Sequence, residues 1–173
     1  MPKPRRMLGD PGAPYCTAIM RLMDTRSRHD LAAWATAFAS ERCLPILAAR
    51  VADTSPWTDA LDACGRFLAG ETPLRQLRPL LAAARSASAA LEDPVAQTAA
   101  RALSTACGAC PTPTSALGFL FYACAAVAYS CHGMDATAGD CAAVCEALFE
   151  EARVSLEAFP SDGGEMARPD WGC

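Results

Sequence analysis

The chain has 173 residues, is 52% hydrophobic with only 7% aromatics, and carries a formal charge of −4. That length allows one domain with a full core and no staples, and an Ala-rich, β-branched-poor composition argues for closely packed helices and against a sheet. The acidic balance argues against a nucleic-acid binder, which would show a basic stripe.

Residues 1–14 read as a flexible tail. The basic start "MPKPRR" runs into "MLGDPGAPY" with no apolar h-region, so a secretory signal is not expected and the cytoplasm is. Residues 15–159 read as a single helical domain. Its first segment, "YCTAIMRLMD" (15–24), suits a short helix. From Ser27 to about Ala52 the pattern gives a long helix, with Ser27 and Asp30 spaced as a capping box and Leu31, Trp34, Ala35 and Phe38 as its inner stripe. Pro45 is expected to bend or break it near Cys43.

Three pairs follow in which a capping residue precedes proline: Ser55-Pro56, Thr72-Pro73 and Asp93-Pro94. Proline suits the first helical position, where its missing N–H would have no intrahelical partner. The first pair opens a stripe of Trp57, Ala60, Leu61, Cys64, Phe67 and Leu68 that Gly70 stops. The second opens one with Leu74, Leu77, Leu81 and Ala84 inward and Arg75, Arg78 and Arg85 outward, interrupted by Pro79. The third lines Val95, Ala99, Ala102, Leu103, Ala106 and Cys110 along one face.

Between Arg101 and Asp135 there is no Asp, Glu, Lys or Arg. Its most apolar part, residues 116–131, is shorter than the roughly 20 residues a bilayer span needs and is softened by Tyr and Ser. A central buried helix, capped by Thr114 or Ser115 and stopped by Gly133, fits better than a membrane span. The last helix runs from about Gly139 to Phe159, with Cys141, Val144, Cys145, Leu148, Phe149, Ala152 and Leu156 on the buried side and Glu146, Glu150, Arg153 and Glu157 on the wet side. Residues 160–173 read as a second flexible tail. The whole is an all-α fold, an antiparallel helical bundle or short helical-hairpin array of about six or seven helices.

Two features carry candidate chemistry. From Asp135 to Cys173 nine acidic residues face only Arg153 and Arg168, a net charge of −7 that leaves +3 for the remainder. Glu146, Glu150 and Glu157 are therefore the candidate contacts for a basic partner steered by charge. The second feature is the set of 10 cysteines. Cys107 and Cys110 form a Cys-x-x-Cys pair at a helix end, where the dipole disfavours a thiolate and hence a redox role. Buried free thiols are the plain reading. A soft-metal site for Cu(I) or Zn is the alternative, drawing on Cys107, Cys110, Cys124, Cys131, Cys141 and Cys145. His29 and His132 form no dyad with a cysteine, and there is no phosphate loop, no His-Glu-x-x-His and no Gly-x-Ser-x-Gly, so neither catalysis nor a cofactor is expected.

Three segments resemble a known family: "LAAWATAFASERCLPIL" (31–47), "WTDALDACGRFLAGE" (57–71) and "AQTAARALSTACGACPTPTSALGFLFYACAA" (96–126). They look like the helical bacterial immunity proteins of the fifth type, associated with polymorphic toxin systems. The resemblance covers roughly residues 28–130. It implies a non-catalytic protein that binds and blocks a cognate toxin. The family pattern often carries histidines in the segment matching Ser104 to Ser115. This chain has Thr105, Pro111 and Ser115 there, so any site those histidines form is missing or remodelled.

Overall fold

A computed structural model describes residues 4–172. It contains seven helices: α1 (Pro14–Met23), α2 (Arg28–Ala48), α3 (Ser55–Leu68), α4 (Leu74–Ala90), α5 (Pro94–Cys107), α6 (Ser115–His132) and α7 (Ala138–Ala158). Among the described residues the only extended pairing is an isolated antiparallel bridge between Ser27 and Met166.

α5 and α6 form the centre. α5 packs against α2, α3, α4 and α6, while α7 closes over α6 and α1. Ala96, Ala99, Ala100, Ala102 and Ala106 are all fully buried, so α5 presents small side chains to its neighbours and lets their backbones approach. α6 is long and apolar enough to cross a membrane, but 61% of it is buried inside the fold, the setting of a core helix. Trp34, Phe38 and Phe119 form a tilted aromatic cluster where α2 meets α6. Two indole N–H groups tie helices together: Trp34 donates to Ser155 Oγ of α7 at 3.2 Å and Trp57 to Ser88 Oγ of α4 at 2.9 Å.

The helix ends differ from expectation in instructive ways. Asp93 caps α5 as expected, its carboxylate accepting from Val95 N–H. The other two pairs do not cap. Ser55 is already the first residue of α3, after Thr54, and its N–H and hydroxyl go to Asp53. Pro73 itself precedes α4. α2 continues through Pro45 to Ala48, because the proline sits in the last turn and removes one hydrogen bond that the following residues do not need. α4 likewise continues through Pro79. Gly70 and Gly133 follow α3 and α6 with φ of +76° and +77°, the left-handed geometry that favours glycine at a helix stop.

Both flanking segments lie against the helices. Leu8 N–H donates to Phe121 O, and Arg5 O accepts from Tyr129 Oη. Residues 160–172, expected to be loose, run back as a strap across the α1–α2 junction. Ala167 N–H donates to Arg26 O at 2.8 Å and Trp171 Nε1 to Asp24 Oδ1 at 3.0 Å.

Candidate functional site

α7 is set in place by a full capping box: Thr137 Oγ1 accepts from Asp140 N–H, and the Asp140 carboxylate accepts from Thr137 N–H. The same hydroxyl and amide hold the Asp140 carboxyl below its usual range. Cys145, Leu148, Phe149, Ala152 and Leu156 are buried, which turns Glu146, Glu150 and Glu157 outward together. Their charges are partly offset. Arg153 grips Glu150 through two bonds of 2.9 and 2.7 Å and reaches Glu157 at 2.9 Å. The Arg153 guanidinium lowers the Glu150 pKa, and Glu150 raises that of Arg153. Neighbouring Glu151 pairs with Arg42 of α2 at 3.2 Å. Glu146 makes no ion pair among the described residues. Val154, one helical turn from Glu150 and Glu157, is 50% exposed. The result is an ordered acidic face with an apolar side chain within it, which can receive a basic, partly apolar surface.

The candidate metal ligands fall in separate places. Cys107 ends α5 and Cys110 lies in the next turn. Both face Cys64 of α3, whose thiol donates to Cys107 O at 3.7 Å. Cys124 of α6 and Cys145 of α7 are both buried and perturb each other's acidity, with Cys43 of α2 close enough for Cys124 to feel it electrostatically. Cys141 is half-exposed one turn before Cys145, and Cys131 is exposed at the end of α6. Among the described residues no three of these sulfurs lie within 4.8 Å of one another. Burial pushes the Cys43 thiol up to about 12. The contact with Cys107 raises Cys64, the contact with Cys64 raises Cys110, and the contact with Cys145 raises Cys124, with burial adding to all three. Cys145 moves down instead, with the neighbouring Cys124 thiol as the largest cause.

Sequence reasoning missed one constellation. Asp30 is 1% exposed, and its carboxylate does not close a capping box with Ser27. It accepts from Ser161 Oγ and Asp162 N–H, both at 3.0 Å. Asp162 in turn accepts from Ser27 Oγ and Gly164 N–H, and its other oxygen lies 3.4 Å from His29 Nδ1. His29 Nε2 meets Leu68 O at 3.1 Å. Ligand atoms of His29, Asp30 and Asp162 come within 4.8 Å of one another, but both Asp30 oxygens already accept bonds from the strap, so the cluster serves as its clasp. The only sequence signal was the buried end of a capping pattern; partners 131 residues away leave none. Beside the clasp, a shallow groove of about 370 Å³ is lined by Arg28, His29, Phe67, Leu68, Leu74 and Pro111.

No curated protein and no solved structure matches the chain. A family model matches residues 21–152, from the end of α1 through most of α7, and includes the segments whose resemblance was noted in the sequence. An all-α scaffold with an exposed acidic helix face and a match over most of its length thus belongs to the Imm-5 like putative immunity protein family.

Proposed function

We propose that this protein neutralises a cognate toxin in the cytoplasm by binding it directly, without catalysis, and that the outer face of α7 makes the contact. Membership of an immunity-protein family is the observation that carries the reading. The ordered acidic side chains around Val154 support the choice of face. A basic toxin surface would be drawn to this helix during diffusion and would cover Val154 on docking.

The partner to test is a toxin domain drawn from the proteins that neighbouring genes encode. Co-expression should protect cells from it, and the purified pair should associate faster at low than at high salt. Reversing all three charges, with Glu146→Lys, Glu150→Lys and Glu157→Lys together, should lower the association rate about ten-fold or more at low salt while leaving helicity intact. An on-rate that is unchanged and insensitive to salt removes this face; absence of both complex and protection removes the toxin reading.

A further inference from the structure

α4 carries charge of one sign on its outer face. The helix buries Leu77, Leu81, Ala84 and Ser88 and packs on α3 and α5. Arg75, Arg78 and Arg85 are all exposed. At about 100° per residue they fall on one stripe, with the exposed Ala82 between them. α4 contains no Asp or Glu. Glu71 and Glu92 flank it and Asp59 and Asp62 lie exposed on α3, yet among the described residues none of the three arginines makes an ion pair. Each guanidinium therefore presents its planar fork of donors to an incoming carboxylate.

The acidic stripe of α7 is the complement, and it lies across the molecule. α4 packs on α5, α5 on α6 and α6 on α7, so two helices separate the charged faces. Arg75 to Arg85 spans about 15 Å of helix and Glu146 to Glu157 about 16 Å, so the two rows match in length. Arg153 offsets part of the acidic row. It leaves Glu146 without an ion pair and engages only one oxygen of Glu157, so acceptors for further arginines remain.

We propose that the arginine face of α4 docks on the glutamate face of α7 in a second copy of this chain. The contact joins unlike faces, so each copy keeps one of each free and the assembly grows head to tail, as an open chain or a closed ring. Single exposed ion pairs are weak, so the contact depends on the whole row and is loosened by salt. The net charge of −4 repels copies that meet at random, whereas the approach of α4 to α7 brings opposite signs together. Association of copies does not depend on the toxin reading. A toxin seated on α7 would exclude the next copy.

The test is sedimentation velocity of the full purified chain, kept reduced, over a range of concentrations and without any toxin. At low salt the weight-average mass should climb with concentration to about twice that of the monomer or beyond, and at about 1 M salt it should return to the monomer. Arg75→Glu, Arg78→Glu and Arg85→Glu together should weaken association about ten-fold or more. Adding Glu146→Lys, Glu150→Lys and Glu157→Lys to that same chain restores the net charge of −4 with the two faces exchanged in sign, so association should return. The proposal is overturned if the wild-type chain stays monomeric at low salt, if the arginine variant associates as well as the wild type, or if the six-residue variant stays monomeric with its helicity intact. Should a reversed chain lose helicity, the milder Arg75→Gln, Arg78→Gln and Arg85→Gln chain decides instead, and undiminished association there overturns the proposal equally.

Discussion

Asp30 is a buried acid whose carboxylate serves a segment far away in sequence. Its two oxygens take the Ser161 hydroxyl and the Asp162 amide, while its own N–H is capped by Ser27. Asp30→Ala leaves those strap donors without their acceptor and should cost about 1–3 kcal/mol in urea unfolding. Exchange protection of the Ala167 amide should fall at the same time. Asp162 adds a pH dependence. The Gly164 amide and Ser27 hydroxyl hold its carboxyl below the ordinary 3.8, with His29 contributing. An acid with a depressed folded pKa stabilises above its unfolded value and loses that effect as pH falls through the folded one. The strap should therefore stay docked from pH 8 to 5 and loosen only below about pH 4, read from Trp171 fluorescence.

At the scale of elements, patterns local in sequence were legible and their exact ends less so. The stripe on α2 and most of those on α4 and α7 are read correctly because each rests on spacing that one helix alone determines, while Leu74, Cys141 and Val144 are only half-buried. Neither proline ends its helix: α2 runs through Pro45, which lies in its last turn, and α4 runs through Pro79. Capping was half-read, since a hydroxyl before proline caps only if the backbone turns there. The contrast is measurable. Thr137→Ala, which removes a true cap, should cost about 0.5–2 kcal/mol, whereas Thr72→Ala should stay within about 0.5 kcal/mol. Of the candidate site, the acidic stripe of α7 was legible as a stripe, but its pairing by Arg153 was not. The thiol pairs were hidden altogether, because Cys64 meets Cys110 and Cys124 meets Cys145 only once separate helices pack.

Over the whole molecule, the family-matched segment and the rest of the chain have different tasks. Residues 21–152 hold α2 to α6 and the acidic start of α7. The strap lies outside that segment yet is fastened to residues 24–30 within it, with Arg26 also donating to the carbonyls of Glu157 and Phe159 at the end of α7. The charge separation noted in the sequence survives folding, with Arg75, Arg78 and Arg85 exposed on α4 and the glutamates exposed on α7. The three indole bonds divide this architecture without overlap. Trp34 joins α2 to α7, Trp57 joins α3 to α4, and Trp171 joins the strap to the α1–α2 junction. The protein thus carries three native fluorophores, each at a different seam. Variants retaining one tryptophan at a time turn unfolding, which a single midpoint reports as one event, into a record of which seam opens first.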